Sequence, residues 1–344
     1  MADRFRLLDL NEDCVKTVLQ CFDAFVLISF SLCSKKRLAN VRSLKLQTEL
    51  HLYCGNDFYA SFDFGGNDLM LFFCEDNDDG QDEELDETPR ALKVDYIEGF
   101  DPLNNVIFVN GYVDHVVYEW RKTSFSGNDW IRHIMSVFNC DRIESLSVMS
   151  SKFEIASLVD TVRNLSIFKY RFPETISKEH ILELLNALPY TEELDVHSLT
   201  FHTPSEYAYL LRNYQSLTVR TRDKITLDIV LSVNSLAFTC FEWPTKDVNR
   251  FIKLWQKGAN PRMRYLYVVF FANHAGSVVF NENEVLRGVQ YQIMPPGPVK
   301  IFEMPGEDME IDGGFDIVGK NGRKATVTLE NEGFASSFRM LIWQ

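Results

Sequence analysis

Apolar and polar positions repeat in one short phrase along residues 143–269. Each copy places a leucine, then in most copies a polar or small residue, then a second apolar residue, at 146–148, 165–167, 194–196, 217–219, 236–238 and 266–268. The copies begin 19 to 30 residues apart, close to the spacing of units that each add one strand and a return segment. Because side chains alternate between the faces of a strand, the pattern predicts six strands with one face in a core. The opposite face is left for water or a partner.

The segments between these strands carry helix signals. Ser177 precedes a run of apolar residues at helical spacing, and Thr203 begins the capping box Thr-Pro-Ser-Glu. Thr245 opens a further helix, whose apolar stripe continues to a stop at Gly258. Alternating strands and helices are typical of a leucine-rich-repeat-like array, which we predict over residues 126–275.

Strand-like alternation flanks this array on both sides. In residues 46–125 the alternation predicts strands at 49–54, 58–64, 68–73, 91–96, 106–113 and 115–120. In the tail, Asn321-Gly322 predicts a hairpin, and residues 338–343 supply a further strand. We therefore expect a small β-rich platform at 46–125 and a β-rich C-terminal cap at 276–344.

The N-terminal segment, residues 5–45, divides into three short helices. Asn11, Asp23 and Ser34 each precede apolar residues at helical spacing, so each is placed to cap a helix. About 40 residues bury too little surface to form a robust core alone. The segment therefore needs a partner or the rest of the chain.

The segment contains, in order, Leu8-x-Leu10, Val15, Val18-Leu19, Phe22-Asp23, Leu27-Ile28 and Ser31-Leu32-Cys33-Ser34-Lys35. This order resembles an F-box, the module that docks on a Skp-type adaptor in cullin-based ubiquitin ligases. Asn11 and Ala24 stand where the family usually has proline. A missing proline costs ~0.4 to 1 kcal/mol, whereas each buried apolar anchor contributes ~1.5 to 3 kcal/mol, so the anchors outweigh the missing prolines. The resemblance implies an adaptor-binding set consisting of Leu8, Leu10, Val15, Val18, Leu19, Leu27, Ile28, Ser34 and Lys35.

Two phrases nearer the C-terminus carry a second resemblance. FIKLWQKGANPRMRYL at 251–266 and SFRMLIW at 337–343 resemble the nematode F-box-associated family, type 2. Proteins of that family carry an F-box, a leucine-rich-like body and a β-rich tail. The resemblance implies an α+β to α/β fold class, with a helical F-box ahead of a curved leucine-rich-repeat-like array with β-rich flanking segments.

Charge and composition argue against several classes of function. The net charge is −14, and residues 75–87 hold nine carboxylates without a basic residue. Such a field repels nucleic acid, and its simplest interpretation is a solvated acidic loop. The seven cysteines show no Cys-x-x-Cys spacing, so we expect neither a disulfide framework nor a zinc site.

Chemical motifs are also missing from the sequence. No nucleophile motif, phosphate loop or dinucleotide glycine pattern occurs, so we expect a non-catalytic chain without a cofactor. His197 and His202 lack the spacing of a helical metal pair, and the calcium-like pattern at 75–86 lacks the required first and last ligands. The first residues do not form a secretory leader and no apolar run is long enough to span a membrane. We expect an intracellular chain, cytoplasmic or nuclear, that binds no membrane.

Candidate target-binding residues lie beside the inward-facing pairs of the predicted repeat strands. Most residues at these positions are small. The charged and aromatic exceptions, which are the types that favour interfaces, are Glu193, Asp195, His197, Arg220, Tyr265 and Tyr267.

Two functional hypotheses follow. The first is a substrate-recognition subunit of an SCF-type cullin-RING E3 ubiquitin ligase, whose F-box binds a Skp-type adaptor and cullin while the leucine-rich body binds a target protein. The alternative is a non-ligase binding protein, whose diverged F-box holds the adaptor without delivering a substrate or only packs on its own body. The target itself is not encoded in a short motif.

Overall fold

The secondary structure alternates between strands and helices along most of the chain. The computed structural model describes residues 10–76, 89–100, 106–109, 112–115, 118–197, 203–220, 225–271, 281–295, 297, 299–304, 307–332 and 335–343. Within them the protein is mixed α/β. Its helices are α1 (Glu12–Leu19), α2 (Ala24–Leu32), α3 (Lys35–Arg42), α4 (Gly127–Val137), α5 (Ile155–Thr161), α6 (Lys178–Ala187), α7 (Pro204–Tyr207), α8 (Leu227–Ser232), α9 (Thr245–Gln256) and α10 (Glu282–Val285).

The strands group into one region before α4 and another after α9, with single strands between the helices. Their bounds are β1 (His51–Cys54), β2 (Phe58–Phe64), β3 (Asn67–Cys74), β4 (Tyr96–Phe100), β5 (Val106–Val109), β6 (Tyr112–His115), β7 (Tyr118–Arg121), β8 (Ile143–Val148), β9 (Ile167–Phe172), β10 (Glu193–His197), β11 (Ser216–Arg220), β12 (Ala237–Phe241), β13 (Tyr265–Phe271), β14 (Tyr291–Met294), β15 (Lys300–Met304), β16 (Glu307–Ile311), β17 (Gly314–Val318), β18 (Lys324–Glu332) and β19 (Ala335–Ile342). The six strands expected from the repeated phrase correspond to β8–β13, which confirms that prediction.

The chain separates into two compact units. Unit 1 comprises Met1–Tyr170 with Asn186–Pro189, and unit 2 comprises Arg171–Leu185 with Tyr190–Gln344. The boundary falls inside β9, and therefore within the stretch 126–275 that we predicted as one array. We describe each unit by itself.

Unit 1 contains a sheet with the strand order β8-β1-β2-β3-β4-β7. The pairs β1–β2, β2–β3, β3–β4 and β4–β7 are antiparallel. In contrast, β1 pairs in parallel with β8, with Leu52 opposite Leu146. The region 46–125 is therefore not a platform separate from the first repeat strand, because its first strand continues the same sheet.

Helix α4 packs apolar side chains into unit 1. Ser126 and Asp129 form its capping box. Trp130, Ile134 and Phe138 are each 0 % exposed, as helical spacing of the apolar face requires. Phe138 lies 4.6 Å, between ring centroids, from Phe62 of β2, so α4 contributes to the core under the buried face of the sheet.

Two of the predicted strands of unit 1 are displaced. Residues 91–95 are not a strand and β4 begins at Tyr96. Ser157 of α5 accepts a hydrogen bond from the Leu92 amide at 2.7 Å and donates one to the Leu92 carbonyl at 3.3 Å. This side chain occupies backbone groups that a strand would need for its ladder. Residues 106–113 divide into β5 and β6, which pair with each other.

Unit 2 contains a sheet with the strand order β14-β17-β18-β19-β13-β12-β11-β10. Strands β10 to β13 are parallel neighbours, and β19 continues the sheet antiparallel to β13. The predicted hairpin of the tail is the antiparallel pair β17–β18, with Asn321-Gly322 between its strands. The tail therefore covers the edge of the parallel strands, as a cap would.

The core of unit 2 follows one row across the sheet. Leu194, Leu217, Phe238, Leu266 and Met340 lie at successive register positions of β10, β11, β12, β13 and β19, and each is at most 1 % exposed. The three leucines and Phe238 belong to the repeated phrase, so the period-2 pattern identified this buried face correctly. The side chains at alternate positions belong to the opposite face.

Candidate functional site

The three helices α1–α3, which we call the N-terminal helices, begin at the predicted capping residues. The side chains of Asn11, Asp23 and Ser34 accept hydrogen bonds from the backbone amides of Cys14, Val26 and Arg37, at 2.8, 2.8 and 3.3 Å. Each bond satisfies an amide that has no partner within its helix. The sequence therefore fixes where all three helices begin.

The predicted adaptor-binding residues fall into a buried group and an accessible group. Leu8 lies outside the described residues. Leu10 and Val18 are half-buried, and Ser34 and Lys35 are exposed. The remaining four are at most 7 % exposed within this chain, and they are Val15, Leu19, Leu27 and Ile28. Buried side chains offer a partner little surface in this conformation, so these four are placed to hold the helices together rather than to contact an adaptor.

One side of α2 packs against the sheet of unit 1. Phe25 is 4 % exposed and stacks on Tyr118 with 4.7 Å between ring centroids. Ser29 accepts a hydrogen bond from the Trp120 indole at 2.7 Å. Ser31 lies 2.8 Å from Nε2 of His133 in α4, and burial lowers the pKa of His133 to about 4. The N-terminal helices are therefore part of the fold of unit 1.

The other side of the N-terminal helices carries partly exposed apolar side chains. Phe22 and Phe30 are half-buried and meet edge to face with 6.4 Å between ring centroids. The Arg37 guanidinium lies 5.3 Å from the centre of the Phe30 ring. The predicted set omitted both phenylalanines, and Phe22 lies in the bend between α1 and α2. We call Leu10, Val18, Phe22 and Phe30 the outer helix face.

In unit 2, four of the six predicted target-binding residues lie together on β10 and β11. His197 is opposite Arg220, and Glu193 is opposite Ser216. Asp195 lies 3.4 Å from the His197 ring nitrogen and 3.7 Å from the Arg220 guanidinium. The Asp195 and His197 side chains are 13 % and 30 % exposed, whereas that of Arg220 is 47 % exposed. We call this group the β10–β11 cluster.

The remaining two predicted residues have different surroundings. Tyr265 is only 6 % exposed, so the expectation that it lies on an open face is wrong. It belongs to an apolar cluster with Phe302 of the β15–β16 hairpin, together with Met294, Ile311 and Leu341, and its burial raises its pKa. The spacing of apolar residues along the sequence could not reveal that the β15–β16 hairpin covers this part of β13. Tyr267 is half-buried at the edge of the same cluster.

Two arginines of this face each lie near both an aromatic ring and a carboxylate. The Arg220 guanidinium lies 5.1 Å from the centre of the Phe241 ring and near Asp195. The Arg339 guanidinium lies 5.2 Å from the centre of the Tyr267 ring and pairs with Glu330 at 2.6 Å. An arginine on an aromatic ring beside a carboxylate is rigid, polar and partly desolvated, which are properties of interface hot spots. Such an arrangement suits binding of a protein surface.

Metal sites and membrane spans were sought in the described part of the chain. There, no cluster of three or more histidine, cysteine or acidic side chains could hold a metal ion, and no helix has the length and apolar character to cross a bilayer. His202 and most of the calcium-like pattern, residues 77–86, lie outside the described residues.

Unit 2 contains a segment that is similar to a known family. A family model described as F-box associated matches residues 207–268, a segment well short of half of the chain. No curated protein and no solved structure matches the chain. The matched segment contains β11, β12, α8 and α9, and β13 as far as Val268, and therefore Arg220, Tyr265 and Tyr267 of the candidate target-binding face. Residues 207–268 are thus similar to the F-box-associated family.

Proposed function

We propose that this protein is a substrate-recognition subunit of an SCF-type cullin-RING ubiquitin ligase. In this proposal the N-terminal helices dock on a Skp-type adaptor that is held by a cullin, and the strand face of unit 2 binds a target protein. The chain itself performs no chemistry and works inside the cell, in the cytoplasm or the nucleus. The observation that carries the proposal is the F-box-associated match at residues 207–268, which coincides with strands of the candidate target-binding face.

The outer helix face is the surface that we assign to the adaptor. Its apolar side chains are half-buried, so they can lose further surface to a partner at about 25 cal/mol per Å² of apolar area. Leu19 and Ile28, which are 0 % exposed, instead pack within the chain.

The proposal also keeps two features predicted from the sequence. These are the F-box nature of α1–α3 and the leucine-rich-repeat nature of β8–β13.

The docking test replaces Phe22 by aspartate. A charge in a desolvated contact without a partner costs several kcal/mol, so Phe22→Asp and Leu10→Asp should each abolish co-purification of the adaptor. Val318→Asp is the matched control, because Val318 is 56 % exposed and belongs to unit 2. Both docking variants should keep the circular dichroism spectrum of the parent. Adaptor recovery at the level of the parent would exclude this face as the docking surface.

The target-binding test uses Arg220 and Tyr267. Arg220→Ala and Tyr267→Ala remove accessible side chains, whereas Tyr265→Ala would also open a cavity under the β15–β16 hairpin. Each of the first two variants should lose proteins that accumulate on the parent under proteasome inhibition, while adaptor binding is unchanged. An identical set of captured proteins would move the target site away from this face.

A non-ligase binding protein is the second candidate function. The observation that favours it is the packing of α2 on the chain's own sheet through Phe25, Ser29 and Ser31. The two candidates differ in the complex that they form. A ligase subunit co-purifies with both adaptor and cullin, whereas the alternative predicts adaptor without cullin, or neither.

A further inference from the structure

The solvent-facing side of the unit 1 sheet carries an ordered row of side chains. At successive register positions of β1, β2, β3, β4 and β7 this row consists of Tyr53, Tyr59, Phe72, Glu98 and Glu119. The first four are half-buried and Glu119 is exposed, whereas the residues next to each of them along its strand face the core. We call these five residues the aromatic-acidic row.

The three rings of the row form a continuous stack. Ring centroids are 4.8 Å apart between Tyr53 and Tyr59, which are nearly parallel at 7°, and 5.3 Å apart between Tyr59 and Phe72. Cross-strand aromatic pairs stabilise a sheet by themselves, so the stack alone does not require a ligand. It does place aromatic rings, whose faces are negative, beside two carboxylates.

The two carboxylates are unfavourably placed for the sheet alone. Glu98 is directly opposite Glu119, and like charges in this position destabilise a strand pair. Arg121 pairs with Glu119. Among the described residues, however, no hydrogen-bond donor or cationic side chain contacts Glu98. Within the part of the chain that the structure describes, Glu98, the carboxylate next to Phe72, is therefore without a cation.

A neighbouring arginine of this chain illustrates which group fits such a site. The Arg121 guanidinium lies 4.2 Å from the centre of the Tyr96 ring and contacts both carboxylate oxygens of Asp76, at 2.6 and 2.7 Å, as well as Glu119. Tyr96 is beside Glu98 on the same face of β4. Phe72 and Glu98 are likewise a ring and a carboxylate side by side. Among the described residues, however, no guanidinium contacts Glu98.

We propose that the aromatic-acidic row is a docking surface for an extended, arginine- or lysine-bearing segment of a partner protein. The five strands cover about 19 Å at roughly 4.8 Å per strand, which corresponds to about six residues of extended chain. A cation of the segment pairs with Glu98 over the Phe72 ring, and further side chains lie on Tyr53 and Tyr59. This inference goes beyond the proposed function, which places target binding on unit 2, because it assigns a separate surface for a basic segment to unit 1.

The test uses a fluorescent peptide of about eight residues, alternating arginine and serine, and the purified full chain. The arginine peptide should bind, and the matched glutamate-serine peptide should not. Glu98→Gln and Tyr59→Leu should each weaken binding roughly three- to fivefold, and together about tenfold, because a carboxylate and a π face are removed separately. Tyr59→Leu keeps apolar area and removes only the aromatic face.

The control for general attraction to this acidic protein is Glu12→Gln. Glu12 is exposed on α1, and the N-terminal helices pack on the opposite face of this sheet through Phe25. Its replacement changes the net charge equally, so it should leave the affinity within error of the parent. The inference is overturned if the arginine peptide does not bind at millimolar concentration, if both row variants bind it like the parent, or if Glu12→Gln weakens it as much as Glu98→Gln.

Adaptor co-purification separates this inference from the proposed function. Glu98→Gln should retain the adaptor and cullin, because the row lies on β1–β4 and β7 and includes no residue of the outer helix face. A parent that binds the arginine peptide without recovering the adaptor would refute the ligase proposal alone. A parent that recovers adaptor and cullin while both row variants bind peptide normally would refute the docking surface alone.

Discussion

The contact between α2 and the sheet of unit 1 can be tested by a double-mutant cycle at Phe25 and Gly99. A Cβ atom added at Gly99 would lie 2.6 Å and 2.8 Å from two atoms of the Phe25 ring, and 2.8 Å from Cη2 of Trp120. Real side chains do not approach so closely, so the rings must move. Gly99→Ala is therefore an overpacking change within the interface between helix and sheet.

The expected magnitudes follow from the packing. Gly99→Ala should lower the free energy of unfolding by about 1 to 3 kcal/mol, the usual cost of overpacking. Phe25→Ala should cost about 3 to 5 kcal/mol, since Phe25 is 4 % exposed and its removal leaves a cavity. In the double variant the added methyl group occupies part of that cavity and no longer meets the Phe25 ring. The combined cost should thus be smaller than the sum by about 0.5 to 3 kcal/mol.

The measurement is urea denaturation of the parent and the three variants, followed by tryptophan fluorescence. Trp120 and Trp130 belong to unit 1 and the other three tryptophans to unit 2, so separate transitions of the two units can be fitted. Only the transition of unit 1 should shift. Costs that add within about 0.5 kcal/mol would refute direct packing of Phe25 on Gly99, and with it the integration of α2 into this unit.

Two further predictions concern charge. Deleting Asn77 to Asp86 should leave the melting temperature nearly unchanged, because closure entropy varies only logarithmically with loop length. Asp76 is kept because it pairs with Arg121. A large loss of stability in a thermal melt would contradict a solvated loop. The second concerns His133, whose pKa burial lowers from 6.5 to about 4. Between these values the unfolded chain binds more protons, so stability decreases as pH falls. At about pH 5 the parent should lose about 2 kcal/mol relative to neutral pH, and urea titrations of His133→Gln should show less of this loss.

Much of the sheet could be predicted because its information is local. In unit 2 the residue two positions after each phrase leucine is buried, and Leu194, Leu217 and Leu266 are at most 1 % exposed, whereas Leu236 is half-buried. Helix starts were equally local, since Asn11 and Asp23 bond to amides three residues away. Period and capping chemistry depend on neighbours in sequence, and one sequence suffices to read them.

The surroundings of these elements depend on contacts that are distant in sequence. Leu52 pairs with Leu146 across more than 90 residues, and no local pattern specifies that partner. Tyr265 has the alternation of an exposed position, but Phe302 from a later hairpin covers it. The aromatic-acidic row was missed for the same reason, since Tyr53 and Glu119 become members of one row only when five strands are placed in register.

The composition of α2 supports the assignment of the outer helix face. Its sequence, AFVLISFSL, is apolar almost all round, and such helices are normally buried on every side. Within unit 1, the sheet and the neighbouring helices bury Phe25 and Ile28, while Val26 and Phe30 stay half-buried. A partner on the outer helix face would cover the remaining apolar side. A fragment limited to the N-terminal helices would expose Phe25 and Ile28 as well, so its binding to an adaptor would not report on the outer helix face. The docking variants should therefore be compared in the full chain.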